Sequence, residues 1–187
     1  MLPGLLDEPG IEKVSFCGLS MGGMAGRRLG SNAPERLERL ALANTTSYSP
    51  NKETWRERIG MAENDDVSAI AGASIGRRFT PGCVVGDDNS DVIGNARGFI
   101  MQTTLERRLG CGVAIRDMDF RGEPRQIGAP TLVIIGEKDP ASLPRHGQVI
   151  AAGIPGARTA VTRDAGHLSS IEPAKAFNST PREFLAF

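Results

Sequence analysis

The stretch Phe16-Cys17-Gly18-Leu19-Ser20-Met21-Gly22-Gly23 joins a short apolar run to a run of small residues through the pattern G-x-S-x-G. Between a strand and a helix, that pattern forces a sharp turn that lifts the serine hydroxyl above the sheet edge as a nucleophile. The flanking glycines are expected where a Cβ would clash, and the backbone N–H of Met21 is expected to face a developing oxyanion. Gly72-Ala73-Ser74-Ile75-Gly76 matches the same pattern and serves as an internal control. Val67, Ile70 and Ala71 before it have helical spacing, so Ser74 reads as an ordinary helix residue.

The pattern constrains the surrounding fold. Residues 14–18 read as a strand, residues 21–33 as a helix in which Gly22, Gly23, Ala25 and Gly26 permit close packing on a sheet, and residues 37–44 as a second strand. Residues 124–129 break the chain. Thr131-Leu132-Val133-Ile134-Ile135 is apolar without alternation, as expected for a central parallel strand covered on both faces. A helix over 144–152, a strand over 157–162 and a final helix over 173–187, interrupted near Pro181, complete an α/β layout. Residues 48–121 show amphipathic stretches at 55–62, 67–79 and 90–109 and no strand-like alternation. The expected organisation is therefore one α/β core from 1–47 and 122–187, with 48–121 inserted as a helical lid that shapes the pocket and excludes water.

A serine nucleophile needs a base, and the chain has two histidines. His167 follows the last predicted strand, where a loop presents it at the sheet edge shared with Ser20; His146 reads as a solvated residue on a surface helix. The third member must be a carboxylate on a loop after a strand, and Asp139 in Gly136-Glu137-Lys138-Asp139 meets that requirement better than Glu137 or Asp164. The order Ser20, Asp139, His167 is that of α/β-hydrolases.

Composition excludes other classes. Lys and Arg total 22, as do Asp and Glu, so no basic field attracts nucleic acid. No apolar run approaches the ~20 residues of a membrane span, and the first residues lack a basic secretion start, so the expected location is the cytoplasm. Cys17, Cys83 and Cys111 are too few and too widely spaced for a disulfide framework or a metal site, and read as small packed thiols.

Taken together, these residues resemble the 3-oxoadipate enol-lactonases. The resemblance is carried by residues 16–24 around the elbow, by Ala33-Pro34-Glu35-Arg36-Leu37 with Leu42-Ala43-Asn44-Thr45, by Ala114-Ile115-Arg116-Asp117-Met118-Asp119, and by Ala129-Pro130-Thr131-Leu132-Val133-Ile134. Residues 115–119 discriminate most, because the elbow and the Pro-Thr-Leu-Val strand recur in many α/β-hydrolases. The resemblance implies an α/β-hydrolase fold and a cofactor-free, metal-free opening of the enol-lactone in the β-ketoadipate route of aromatic degradation. It also implies Ser20 as nucleophile, Asp139 as orienting acid and His167 as base.

Such a substrate carries a free carboxylate. Trp55 and Arg58, at i and i+3 on the first helix of the insertion, share a face that offers an apolar wall and a charge. A core anchor and a solvated arginine remain the alternative, and Arg116, Asp117 and Asp119 equally suit a structural cluster joining the insertion to the core. Few residues precede the elbow strand, where the family has several strands. The expected sheet is therefore N-terminally truncated, with residues 14–18 as an unpaired edge through which copies associate. A general carboxylesterase, or a catalytically silent fragment acting as an interaction subunit, are the other functions open at this point.

Overall fold

The computed structural model describes residues 2–64, 67–122, 127–172 and 174–186. The break expected at Pro124 and the ends of the final helix expected at Pro173 and Phe187 lie outside them. The described chain forms two compact units, one built from Met1–Ser47 with Phe120–Phe187 and the other from Tyr48–Asp119.

The first unit contains α1 (Leu2–Asp7), β1 (Val14–Leu19), α2 (Met21–Asn32), β2 (Leu37–Ala43), β3 (Thr131–Gly136), α8 (Pro144–Gly153), β4 (Arg158–Thr162) and α9 (Ala174–Leu185). The four strands pair in parallel in the order β1-β2-β3-β4. Alternate residues serve opposite faces. Leu40, Leu42, Val133 and Ile135 share a cluster with Leu29 of α2 and Ile150 of α8, whereas Ala41, Ala43, Leu132 and Ile134 share one with Phe177 and Phe184 of α9. Small alanines on β2 thus leave room for two aromatic rings. Leu40 and Leu42 have no exposed surface, and each such side chain contributes roughly 1.5–3 kcal/mol by leaving water.

Three local expectations are corrected. α9 runs unbroken through Pro181, which is itself buried with Phe177 and Phe184 around it; that apolar packing offsets the hydrogen bond a proline removes. Cys17 and Cys111 are exposed rather than packed; Cys17 lies on β1, which among the described residues forms one edge of the sheet and pairs with β2 alone. Residues 14–18 stand at the edge of the sheet, as the sequence led one to expect, with one side in the ladder against β2. His146 is buried, 7 % exposed, since the first turns of α8 turn His146, Gly147 and Ile150 inward. Burial, and secondarily the neighbouring Arg145 charge, hold its pKa below the usual histidine value.

The second unit is helical: α3 (Lys52–Asn64), α4 (Val67–Gly76), α5 (Pro81–Val85), α6 (Ser90–Gln102) and α7 (Leu105–Asp117). The amphipathic stretch over 90–109 spans α6 and the start of α7, because Thr104 starts a new helix by accepting a hydrogen bond from the Arg107 N–H. Asn51 caps α3 in the same way, with its side-chain oxygen 3.0 Å from the Glu53 nitrogen. Ile59 of α3 lies against Gly112 of α7, and Arg97 of α6 bonds the Ser68 hydroxyl of α4 at 2.9 Å. An antiparallel bridge between Tyr48 and Asp119 closes the unit where its chain begins and ends.

Candidate active site

Ser20 occupies the turn between β1 and α2 with φ 55° and ψ −116°. A non-glycine residue there stores strain of order 1–3 kcal/mol, held by its surroundings. The Ser20 N–H donates to the Ala43 carbonyl at 2.9 Å, and its own carbonyl accepts from Thr45 Oγ1 at 2.8 Å. The last residue of β2 and Thr45, two positions beyond it, therefore hold the turn on both sides. Met21 is the first residue of α2, so its backbone N–H has no partner within the helix.

The glycines around the turn have different roles. A Cβ on Gly18 would lie 2.2 Å from the Gly22 carbonyl oxygen, while a Cβ on Gly22 would meet nothing within 4 Å, so only the first of the two flanking glycines is sterically required. Gly23 and Gly26 admit Thr45 and Phe16, each at 2.8 Å from a hypothetical Cβ. Because backbone rather than a flexible side chain blocks the site, Gly18→Ala is expected to destabilise the fold by about 3 kcal/mol, read from the urea unfolding midpoint. A loss below about 0.5 kcal/mol would contradict this geometry.

The structure brings the other two candidates to Ser20. His167 Nε2 lies 2.8 Å from Ser20 Oγ, and its Nδ1 lies 2.8 Å from Asp139 Oδ2. Asp139 is 1 % exposed and His167 7 %. A carboxylate only accepts, so Nδ1 carries the imidazole proton and Nε2 presents a lone pair to the serine. Asp139 is fixed by an Asx turn: Oδ1 accepts from the Ala141 and Ser142 N–H groups at 2.8 and 2.9 Å. Oδ2 also accepts from Ser142 Oγ at 2.5 Å. Ser142 was not among the residues expected here; it becomes visible only as a serine three positions after a loop aspartate.

The rival side chains are occupied elsewhere. Glu137 accepts from the Asp164 N–H at 2.9 Å, and Asp164 pairs with Lys138 at 2.6 Å on the surface. Ser74 lies within α4, where Arg77 donates to its hydroxyl at 3.4 Å. Arg116 pairs with the adjacent Asp117 at 2.6 Å in an exposed bridge.

In the helical unit, the Arg58 guanidinium stacks 4.8 Å from the Trp55 ring centroid on α3. Its pKa is held below the usual arginine value, first by burial and then by the like charges of Arg77 and Arg78. Burial lowers Arg77 and Arg78 as well. Glu57 acts on Arg58 in the opposite sense, more weakly than the two arginines; a half-buried guanidinium stacked on an aromatic face with two like charges in range favours an anionic guest. Arg77 and Arg78 were not expected here, though two adjacent arginines closing a helix were the available signal. Among the described residues no cluster of His, Cys, Asp or Glu is arranged to hold a metal, and no helix is long and apolar enough to cross a membrane.

No family model matches the chain. It is 31% identical over 174 residues to 3-oxoadipate enol-lactonase 2 of Acinetobacter baylyi, which covers 93% of this chain and 64% of that protein. The chain thus spans a little under two thirds of that relative's length. The crystal structure of an enol-lactonase from Burkholderia xenovorans superposes with a TM-score of 0.93 at 36% identity, covering 100% of this chain and 70% of the other. A hydrolase from Pseudomonas aeruginosa gives a TM-score of 0.94, also at 36% identity, over 100% of this chain and 69% of its own. The parallel sheet, the strained serine turn and these similarities agree that the chain belongs to the enol-lactonase family of α/β-hydrolases.

Proposed function

We propose that this chain is a serine hydrolase that opens 3-oxoadipate enol-lactone to 3-oxoadipate through an acyl-enzyme. The observation that carries the reading is the run of contacts from Ser20 Oγ to His167 Nε2 and from His167 Nδ1 to Asp139 Oδ2, each 2.8 Å. His167 takes the Ser20 hydroxyl proton as Oγ attacks the lactone carbonyl, and Asp139 stabilises the resulting imidazolium. The Met21 N–H receives the tetrahedral oxyanion, aided by the positive end of α2. Collapse breaks the acyl–oxygen bond. The ring oxygen leaves as an enolate whose carbon takes up the proton held by the His167 imidazolium, which gives the ketone, still tethered through the acyl group, and returns His167 to its neutral form. His167 then deprotonates a water that attacks the ester, and returns the proton to Ser20 Oγ as the product acid departs.

The free carboxylate of the lactone is assigned to Arg58, with Trp55 as an apolar wall and the charges of Arg77 and Arg78 adding to the attraction. This separates an enol-lactonase from a general carboxylesterase, which has no carboxylate to recognise. Losing one charge-assisted contact costs ~1.5–3 kcal/mol, so Arg58→Ala is expected to raise KM for the enol-lactone roughly tenfold to a hundredfold. Hydrolysis of p-nitrophenyl acetate should be unchanged. Steady-state kinetics on both substrates check this; equal effects on the two, or no preference of the unaltered chain for the lactone, would favour the carboxylesterase.

A further inference from the structure

Asn44, immediately after β2, is 3 % exposed and has φ 43°. Its backbone N–H donates to the Ile134 carbonyl at 3.0 Å. The side-chain oxygen accepts from the Gly136 N–H at 2.8 Å. The side-chain nitrogen lies 3.1 Å from the Gly166 carbonyl, 2.7 Å from the His167 carbonyl and 2.9 Å from Ser169 Oγ. One buried amide thus bonds the start of the loop bearing Asp139 and the loop bearing His167. Its neighbours hold the third member: Ala43 accepts from the Ser20 N–H and Thr45 donates to the Ser20 carbonyl. Residues 43–45 therefore touch all three segments that carry Ser20, Asp139 and His167.

The chemistry of asparagine fits each demand of this position. The left-handed backbone is costly for most L-residues and is tolerated by asparagine. The site needs an acceptor toward Gly136 and donors toward two carbonyls, which one amide supplies at once. An apolar replacement would leave buried backbone groups unsatisfied, and aspartate would turn an oxygen toward the Gly166 and His167 carbonyls. We propose that Asn44 is a positioning residue for hydrolysis, setting the Asp139 and His167 loops at the spacing that aligns the imidazole with Ser20. The proposal rests on the reading of Ser20, His167 and Asp139 as the catalytic residues.

The test is steady-state hydrolysis of p-nitrophenyl acetate by the full chain and by Asn44→Gly, which keeps the left-handed backbone accessible and deletes the amide. Small misplacement of a catalytic group is costly, so kcat is expected to fall on the order of tenfold to a hundredfold while KM stays within about twofold. A lower melting midpoint with an unchanged kcat per folded molecule would make Asn44 a structural residue only and overturn the proposal. Should Asn44→Gly fail to fold by circular dichroism, Ser169→Ala removes one partner of the amide. Its kcat is expected to fall about threefold or more, and a wild-type kcat in that variant overturns the proposal. Failure of the unaltered chain to hydrolyse the ester instead removes the catalytic reading and this proposal with it, so the two failures are distinguishable.

Discussion

Ser20→Ala is expected to lower hydrolysis by about 10⁴-fold or more while leaving the fold intact, because the proposed mechanism runs through the hydroxyl that this change removes. The serine is half-buried, bonded to His167 and held in the strained turn by β2. Alanine keeps the Cβ and the backbone contacts, so unfolding should change little. Ser74→Ala is the matched control, since it alters the other G-x-S-x-G serine, which lies inside a helix. Assays of both variants with p-nitrophenyl acetate and the enol-lactone check the pair. Equal losses in the two would contradict the assignment of the nucleophile.

Asp139→Asn is expected to lower kcat by roughly 10⁴-fold through the tautomer of His167, with little change in shape. Its Oδ1 is committed to the Ala141 and Ser142 N–H groups. In the amide the oxygen stays on those donors, so the NH₂ takes the place of Oδ2 and points at His167 Nδ1 and Ser142 Oγ. The imidazole must then accept at Nδ1 and carry its proton on Nε2, facing Ser20 as a donor and no longer as a base. Kinetics on the folded variant check this. A loss under about tenfold would mean that the Asp139 contact is not needed to orient the base.

The parts legible in the sequence were those where one residue type imposes one local geometry. Only a glycine fits at position 18 against the Gly22 carbonyl, so the turn and the β-α-β arrangement around it could be read directly. The unalternating run in β3 announced a strand covered on both faces, and all six of its residues are buried. That His167 and Asp139 would lie in contact with each other and beside Ser20 followed from strand ends and order along the chain. What escaped the sequence depends on which surfaces meet. His146 and Cys17 differ from expectation because α8 turns a polar residue inward and β1 stands at a sheet edge. The continuity of α9 through Pro181 is a case of tertiary packing overriding local propensity. Ser142 and Asn44 carry no catalytic signature at all; their parts are defined by hydrogen bonds to residues 3 to 125 positions away in the chain. The two arginines at 77 and 78 stood out for a related reason only in the structure, where their charges act on Arg58 after burial has already lowered its pKa.

The most direct test of the central claim is treatment of the folded chain with a fluorophosphonate, followed by intact-mass measurement and peptide mapping. The reagent needs an activated serine and no knowledge of the substrate. The account predicts one label per chain, on the peptide containing Ser20, with labelling lost in Ser20→Ala. A chain that is folded by circular dichroism and takes up no label, or takes it elsewhere, would contradict it.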